Sequence, residues 1–234
     1  MDERLCASIF SHSPDPADTF QYERALMAAG YPRVAGVDEA GRGPLAGPVV
    51  AGCVILPPDC DYSLFRDSKV LTPDTRQELY DYLATCGASV GCCAVEPVEI
   101  DRINILQASL QAMAGAVIEV ASQLESGPDF LLVDGKFTAP LALPQQALIK
   151  GDSRSASIAA ASIVAKVVRD RIMEEYHQAY PEYDFARNKG YPTREHKKAI
   201  REYGPCPIHR RTFRGVREYV DECEVSSRGQ QPLW

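Results

Sequence analysis

The sequence predicts an α/β fold in which a mixed five-stranded sheet is flanked by helices and followed by a small helical C-terminal part. Three β-rich runs lie close together early in the chain, at residues 34–38, 48–56 and 88–95, and they indicate an antiparallel meander. Two short apolar runs, residues 130–134 and 147–150, then alternate with helical patterns, an order typical of a mixed sheet covered by helices. With 234 residues, 45% of them hydrophobic, the chain can bury a full core.

The helices before the fourth strand are predicted from start signals and from periodicity. Residues 18–29 predict a short helix with Asp18 as its N-cap. Thr72-Pro73-Asp74 starts a second helix, because a capping threonine, a proline in the first turn and an acid are helix-start signals. A third helix covers about residues 104–124, where apolar residues step by four, three, four and three along one buried stripe: Leu106, Leu110, Met113, Val117 and Val120.

The chain after the fifth strand is predicted to be helical. Residues 155–177 form a strong helix whose first half, rich in alanine and serine, is suited to close packing against a sheet. A loop that bears Tyr191, a helix over residues 194–203 and an amphipathic piece at 216–223 follow. We therefore expect three parts: an N-terminal extension with a short helix (1–33), a core (34–178) and a C-terminal helical segment with a tail (179–234).

Composition limits the classes of function. The formal net charge of −7 argues against a nucleic-acid partner, but basic residues cluster at 187–198 and 209–214, and binding depends on local clustering. The eight cysteines show no zinc-type spacing and predict reduced, structural thiols. The start of the chain is polar, and the small-apolar run at 156–165 is too short to span a bilayer, so we expect a cytoplasmic protein without a membrane partner.

Acidic residues end three of the predicted strands. They are Asp38 with Glu39, Asp134 and Asp152. Taken singly, Asp134 before a glycine is an ordinary turn residue and Asp152 is a helix cap. Taken together, they indicate a site, because ligands in open α/β sheets bind beyond the carboxyl ends of strands. Oxygen ligands without histidine or cysteine suit Mg²⁺ or Mn²⁺ rather than zinc, and two such ions can clamp a phosphodiester.

The tripeptide Gly41-Arg42-Gly43 follows the first pair of acids at once. Glycines on both sides let the backbone come close to an anionic polymer, while the guanidinium binds a phosphate or a sugar. Candidate metal ligands beside candidate phosphate ligands suggest metal-assisted cleavage or transfer at a phosphodiester.

The segment at 37–52, VDEAGRGPLAGPVVAG, also resembles the signature of type 2 ribonucleases H, and bacterial ribonuclease HII in particular. Five later blocks resemble that family in the family's order, so that the resemblance covers about residues 34–213. They are LVDGK (132–136), KGD (150–152), AAASIVAKVVRDR (159–171), NKGYPTREH (188–196) and PIHRRTF (207–213).

The resemblance implies a ribonuclease H-like fold and a metal-dependent endoribonuclease. Members of the family hydrolyse the RNA strand of RNA–DNA hybrids and incise 5′ of single ribonucleotides in duplex DNA, as in ribonucleotide excision repair, leaving 3′-hydroxyl and 5′-phosphate ends. Asp38, Glu39, Asp134 and Asp152 match the family's four catalytic, metal-binding acids. The expected cofactor is Mg²⁺ or Mn²⁺, with two ions during catalysis. The expected partner is a hybrid or a duplex with an embedded ribonucleotide, bound by a monomer that needs no nucleotide cofactor.

The resemblance also implies which residues bind substrate. It assigns recognition of the 2′-hydroxyl to Gly41, Arg42 and Gly43, and it places Tyr191 against the sugar of the following nucleotide. Lys69, in the family-like block Asp67-Ser68-Lys69, would contact a phosphate. A packing role for Tyr191 and a solvated Lys69 remain open.

The sequence allows more than one interpretation of several other polar residues in these blocks. Asp170 lies inside a predicted helix, which favours an ion pair with Arg169 or Arg171 over metal binding. His196 is predicted to be a surface or capping residue. The run at 209–211 either tracks a nucleic-acid backbone or pairs with acids.

Two other functions are less consistent with the sequence. A binding module that has lost catalysis would lack one of the four acids, and none is missing. An oxidoreductase that uses residues 41–47 as a dinucleotide loop needs a helix directly after the loop, but the pattern at residues 48–51 predicts a strand.

Overall fold

The structure contains a mixed five-stranded sheet, as the sequence predicts. It is a computed structural model that describes residues 9–10, 15, 18–65 and 71–220. The spatial order of the strands, numbered along the chain, is 3-2-1-4-5. The strands are β1 (Val34–Ala40), β2 (Val49–Ile55), β3 (Ser89–Val95), β4 (Phe130–Asp134) and β5 (Gln145–Leu148).

The strand pairing brings three carboxyl ends to one edge of the sheet. β1 is antiparallel to β2 and parallel to β4, and β4 is parallel to β5. The ends of β1, β4 and β5 therefore share one edge. The predicted end of the first strand at residue 38 is two residues short, because β2 continues to supply pairing partners: Glu39 lies opposite Ala51, and Ala40 opposite Val50.

Helices precede, connect and follow the strands, and the sequence analysis did not predict two of them, Pro97–Ile103 and Phe185–Asn188. The α-helices are α1 (Gln21–Ala28), α2 (Pro73–Thr85), α3 (Pro97–Ile103), α4 (Ile105–Ser122), α5 (Ala156–Ala179), α6 (Phe185–Asn188) and α7 (Arg194–Tyr203). Short 3₁₀ turns occur at Tyr62–Leu64, Gly151–Ser153, Pro181–Tyr183 and Arg217–Tyr219. The last of these is the described part of the amphipathic piece predicted at 216–223, of which residues 221–223 lie outside the described chain.

The two predicted caps have different outcomes. Thr72 caps α2, since its Oγ1 accepts a hydrogen bond from the N–H of Thr75 at 3.2 Å. The prediction for Asp18 is wrong, because the N-cap of α1 is Phe20. Asp18 instead accepts from the N–H of Phe20 at 3.2 Å and forms an ion pair with Arg24, so its carboxylate is engaged before the helix begins.

Helix α4 packs closely against β3. A Cβ built on Gly91 would lie 2.6 Å from the carbonyl oxygen of Ala116, and one built on Gly115 would lie 2.4 Å from Cys93 Sγ. The helix is long and apolar enough to cross a membrane by length and composition, but this contact with the sheet accounts for its apolar face. Of the predicted stripe, three residues are buried (Met113, Val117 and Val120), while Leu106 and Leu110 are only partly buried.

Helix α5 contacts the sheet through its small residues, as predicted from its alanines and serines. A Cβ on Gly36 of β1 would lie 2.0 Å from the carbonyl carbon of Ser157, and one on Gly52 of β2 would lie 2.4 Å from the carbonyl oxygen of Ala161. Glycine is therefore required at both strand positions for this close approach.

The described chain divides into two compact units that are each discontinuous in sequence. The first unit holds residues 18–40, 50–94 and 109–168 and carries most of the sheet. The second unit holds residues 41–49, 95–108 and 169–220 and has its own apolar cluster, which includes Leu45, Met173, Phe185 and Ile200.

Candidate active site

The four predicted acids lie in the first unit. Asp38 and Glu39 are on β1, Asp134 is the last residue of β4, and Asp152 lies in the 3₁₀ turn after β5. Asp38 is only 6% exposed and Asp152 only 4%. We call Asp38, Glu39, Asp134 and Asp152 the acid cluster.

Backbone amides orient two of these carboxylates. The N–H of Gly151 donates to Asp134 Oδ1 at 2.6 Å, and the N–H of Glu39 donates to Asp38 Oδ1 at 2.7 Å. The first bond ties the turn that carries Asp152 to the end of β4. A Cβ on Gly151 would lie 3.2 Å from Asp134 Oδ1 and 2.6 Å from Ile158 Cδ1, so a side chain at this position would crowd both groups.

The electrostatics of Asp38 show that the acids act on one another. Burial raises the pKa of Asp38 well above its ordinary value, and the negative charges of Glu39, Asp134 and Asp152 raise it further. The hydrogen bond from the Glu39 amide opposes this increase. Asp38 therefore interacts with its neighbour Glu39 and with two acids that are far from it in the sequence, Asp134 and Asp152.

The donor chemistry of the acid cluster fits a divalent cation. Carboxylate oxygens are the ligands that Mg²⁺ and Mn²⁺ prefer, and a cation would offset the repulsion that Asp38 experiences. Within the described ranges, no three His, Cys, Asp or Glu side chains are already as close as the ligands of one ion. The four carboxylates are thus near enough to interact electrostatically without converging on a single point.

The glycine-rich loop that follows β1 lies in the second unit, and its first glycine is essential to its conformation. Gly41 has a φ of +98°, and a Cβ there would lie 2.1 Å from Arg169 Nε. At Gly43 a Cβ would lie 3.8 Å from Tyr191 Cε1, an ordinary contact. The structure therefore places Tyr191 beside the loop, with 43% of its surface exposed. The strand predicted directly after the loop is confirmed, since β2 begins at Val49, and this excludes the helix that a dinucleotide loop would need.

Two fully buried arginines, Arg169 and Arg210, hold this loop through its carbonyl oxygens. Arg210 donates to the carbonyls of Gly41 at 2.5 Å, Arg42 at 3.0 Å, Gly47 at 2.9 Å and Pro48 at 3.2 Å. Arg169 donates to the carbonyls of Pro48 at 3.0 Å, Ala46 at 3.2 Å and Lys189 at 3.0 Å.

The role of Arg210 corrects the sequence analysis, which considered only a nucleic-acid backbone or acids as partners for residues 209–211. Arg210 binds backbone carbonyls of its own chain instead. Burial lowers its pKa to about 9, and the charge of Arg169 contributes to the decrease, so the guanidinium remains a cation at neutral pH. No sequence pattern indicates this role, because the carbonyls that Arg210 binds belong to residues more than 160 positions away.

Backbone hydrogen bonds connect the loop to the segments that carry Tyr191 and Arg210. The N–H of Leu45 donates to the carbonyl of Gly190 at 2.8 Å, and the N–H of Arg210 donates to the carbonyl of Leu45 at 2.8 Å. The guanidinium of Arg169 also lies 5.9 Å from the centroid of the Tyr191 ring, within the range of a cation–π contact.

Two other predicted residues remain untested. Lys69 lies outside the described residues. Asp170 acts on Arg169 through its charge, which raises the pKa of that guanidinium against the stronger effect of burial. Its predicted ion pair stays a prediction.

The surface position predicted for His196 is wrong, because the side chain is fully buried. It shares the buried face of α7 with Ala199 and Ile200, and its Nε2 lies 3.0 Å from Nε2 of His209, which is also buried. The sequence signal was present: residues three and four positions after His196 are apolar, the spacing of one helix face.

These two histidines predict a loss of stability in acid. Burial lowers the pKa of His196, and burial and the neighbouring His196 lower that of His209 to about 3. Between that value and about 6.5 the unfolded chain binds a proton at His209 and the folded chain does not, so stability falls as the pH falls, by up to about 1.4 kcal/mol per pH unit for this histidine. The lowered pKa of His196 acts in the same direction.

Urea unfolding of the wild type and of His209→Phe at pH 7.5 and pH 5 measures this effect. Because the remaining titrating groups are common to both proteins, the difference between their losses of unfolding free energy on acidification reports His209 and its interaction with His196. We expect the variant to lose less stability on acidification, and an equal loss in both proteins would contradict the prediction.

Sequence comparisons find close relatives of the chain. A family model described as Ribonuclease HII matches residues 35–216. A protein named Ribonuclease HII from Desulfotalea psychrophila is 57% identical over 206 residues, which cover 88% of this chain and 91% of the relative.

Solved structures give a consistent result for the fold. The crystal structure of the ribonuclease H2 from Pyrococcus horikoshii OT3 matches this chain with a TM-score of 0.66 and 30% sequence identity. The match covers 82% of this chain and 99% of the other. Bst-RNase HIII in complex with Mn²⁺ has a TM-score of 0.64 at 15% identity and covers 82% of this chain and 70% of its own. At that identity the likeness concerns the fold alone.

Proposed function

Because this chain belongs to the ribonuclease HII family, and so is a hydrolase that cleaves RNA in RNA–DNA hybrids, we propose that it does so with divalent metal ions bound by the acid cluster. We also propose that it incises 5′ of single ribonucleotides in duplex DNA and leaves 3′-hydroxyl and 5′-phosphate ends. The observation that carries the metal dependence is the electrostatic contact of buried Asp38 with the three other carboxylates.

The cofactor that suits these donors is Mg²⁺ or Mn²⁺, with two ions during catalysis. Such ions stabilise charge on a phosphodiester and lower the pKa of a bound water. The chain's own contribution is to hold the ligands in place, through the Gly151 amide on Asp134 and the Glu39 amide on Asp38. Bst-RNase HIII, which shares this fold, has been solved in complex with Mn²⁺.

Selection for ribose is assigned to the loop at 41–43. In a trans peptide the N–H points opposite to the carbonyl that precedes it. Since Arg210 binds the carbonyls of Gly41 and Arg42, the amides of Arg42 and Gly43 point away from that guanidinium. We assign these amides to the 2′-hydroxyl, the group that distinguishes RNA from DNA. The exposed ring of Tyr191, beside Gly43, would lie against the next sugar and reject an additional hydroxyl.

A basic face on α7 supports contact with the duplex backbone. Arg194, Lys197 and Arg201 are three and four residues apart and line, with Gly215 and Tyr219, a cavity of about 210 Å³. This face carries local positive charge, which can attract a phosphate backbone although the net charge of the chain is −7.

We expect the triple variant Arg194→Gln, Lys197→Gln, Arg201→Gln to bind a hybrid duplex more weakly at low salt. Each lost phosphate contact should reduce the slope of log K against log salt by about 0.9. Fluorescence anisotropy with a labelled hybrid at several salt concentrations measures the slope. Lys198→Gln is the matched control, since Lys198 is exposed on the same helix but does not line the cavity. A slope equal to that of the wild type would show that this face does not bind phosphates.

We propose a monomer that acts in the cytoplasm without a nucleotide cofactor, and a phosphate contact for Lys69, which lies outside the described residues.

A duplex that carries one ribonucleotide and a label at one end tests the proposed function. It is incubated with the protein and Mg²⁺, Mn²⁺ or EDTA, and the ends of the products are mapped. We expect a nick 5′ of the ribonucleotide with either ion and no nick in EDTA. Cleavage that persists in EDTA would refute the metal dependence. A tract of RNA that is cut while the single ribonucleotide is not would refute the incision activity alone.

A further inference from the structure

Two buried histidines of the second unit lie outside the chemistry proposed above. His196 is on α7 and His209 precedes Arg210, and both are essentially inaccessible to solvent. Their Nε2 atoms are 3.0 Å apart, so one ring must donate a hydrogen bond to the other. Which ring donates follows from their other contacts.

The contacts of Cys206 determine the protonation of His209. The backbone N–H of Cys206 donates to His209 Nδ1 at 3.0 Å, and the Sγ of the same residue lies 3.1 Å from that nitrogen. Burial raises the pKa of the Cys206 thiol to about 12, so the thiol keeps its hydrogen. An Nδ1 that accepts from an amide carries no proton, and neutral His209 therefore carries its proton on Nε2.

The direction of the next two hydrogen bonds follows from that tautomer. His209 Nε2–H donates to His196 Nε2, which must then be unprotonated. His196 carries its proton on Nδ1 and donates it to the carbonyl oxygen of Tyr191 at 2.8 Å. Amide, imidazole, imidazole and carbonyl thus form one directed chain of hydrogen bonds, which we call the histidine relay: Cys206, His209, His196 and Tyr191.

We propose that His196 and His209 are positioning residues that fix Tyr191 for recognition of the sugar beside the cleavage site. This inference rests on the proposed role of Tyr191. The relay ends on the Tyr191 backbone, and the Tyr191 ring lies 3.8 Å from the Cβ position of Gly43 and 5.9 Å from the Arg169 guanidinium. Both the backbone and the ring of Tyr191 are therefore held by groups of the same unit.

Packing alone does not require this arrangement. The rings of Tyr183 and Phe185 surround the two histidines, with the Phe185 centroid 5.4 Å from that of His196 and 5.7 Å from that of His209. Two apolar rings would fill this space without the desolvation of four ring nitrogens. The relay supplies what two apolar rings could not, a hydrogen bond that holds the carbonyl of Tyr191 in place.

The tautomers are measurable without any assay of activity. Two-dimensional ¹⁵N–¹H spectra of the full chain at pH 7.5 distinguish Nδ1–H from Nε2–H imidazole, with assignments from the single variants. We expect the Nδ1–H form for His196 and the Nε2–H form for His209. The opposite tautomers, or an imidazolium at either position, would overturn the relay.

A double-mutant cycle tests whether the relay acts through Tyr191. We expect His196→Phe to slow incision at a single ribonucleotide by about tenfold to a hundredfold, the scale for a displaced positioning group. In a Tyr191→Ala background the same change should have almost no further effect, because the group that it positions is already absent. An equal decrease in both backgrounds would mean that His196 only supports the fold, and the proposal would fail.

The variant His196→Asn tests whether the hydrogen bond to Tyr191 is what matters. His196→Asn keeps an N–H donor near the position of Nδ1 and should recover a large part of the rate that His196→Phe loses. If recovery is absent while both variants unfold in urea like the wild type, the hydrogen bond to Tyr191 is not what matters. If Tyr191→Ala itself incises at the wild-type rate, the proposed role of Tyr191 fails, while the tautomer measurement still decides whether the relay exists.

Discussion

Replacing Asp134 with asparagine is expected to abolish cleavage while sparing both the fold and the binding of hybrid duplexes. The change removes one ligand charge at nearly constant volume, and the amide oxygen of asparagine can still accept the hydrogen bond from the Gly151 N–H. The turn that carries Asp152 should therefore stay in place. We expect kcat to fall at least about a hundredfold, the scale for removing one electrostatic stabiliser from an active site.

Single-turnover cleavage of a labelled hybrid, with anisotropy for binding, measures both effects. Asp129→Asn is the matched control, because Asp129 lies just before the opposite end of the same strand and pairs with Arg33 at 2.5 Å, away from the acid cluster. The control should cleave at nearly the wild-type rate. Metal-dependent cleavage by Asp134→Asn at an undiminished rate would refute the role assigned to Asp134.

The five strands and their approximate positions in the sequence were predictable, because the patterns that indicate a strand are local. A run such as residues 130–134 is apolar and ends in an acid, and that pattern depends on no distant contact. The resemblance of the signature blocks to ribonuclease HII is confirmed by the family model over residues 35–216. Helix α3 was missed although Pro97 marks its first turn, since it is only seven residues long and lacks a side-chain cap.

The groups that hold the loop could not be predicted, because their roles depend on contacts between distant segments. Arg210 lies 169 residues from Gly41, whose carbonyl it binds, and a basic run in a sequence usually indicates a solvated surface. His196 was predicted to be exposed from its charged neighbours, but its partner is a histidine 13 residues later. In both cases a polar side chain is buried because its hydrogen-bonding groups find partners that sequence patterns do not reveal.

The acid cluster depends both on local patterns, which were predictable, and on contacts between distant segments, which were not. That four acids lie near one another was a prediction from strand ends, and the electrostatic effect of three of them on Asp38 is consistent with it. How Asp134 is oriented was not predictable, because it depends on a glycine amide 17 residues away. The sequence therefore predicts which acids form the cluster. The hydrogen bonds that orient their carboxylates are known only from the fold.

Replacing Arg210 with methionine should cause the largest loss of stability of any change discussed here. Methionine fills a similar volume but donates no hydrogen bond, so the carbonyls of four residues lose a buried partner: Gly41, Arg42, Gly47 and Pro48. An unsatisfied buried acceptor costs roughly 1–3 kcal/mol, and partial relaxation of the loop and the remaining bond from Arg169 to Pro48 reduce the sum. We expect the free energy of unfolding to fall by at least about 3 kcal/mol, the sum for several such acceptors after relaxation.

Urea unfolding measures this loss, and two further variants show its cause. Arg211→Met changes a neighbouring, exposed arginine, of which the backbone N–H contacts Asp101 at 2.8 Å, and it should alter stability by no more than about 0.5 kcal/mol. Arg210→Lys keeps the charge but has one ammonium in place of a planar fork, so it cannot reach all four carbonyls and should be intermediate. If Arg210→Met were as stable as Arg211→Met, the loop would not depend on the guanidinium. If Arg210→Lys matched the wild type, the positive charge alone, rather than the fork of donors, would hold the carbonyls.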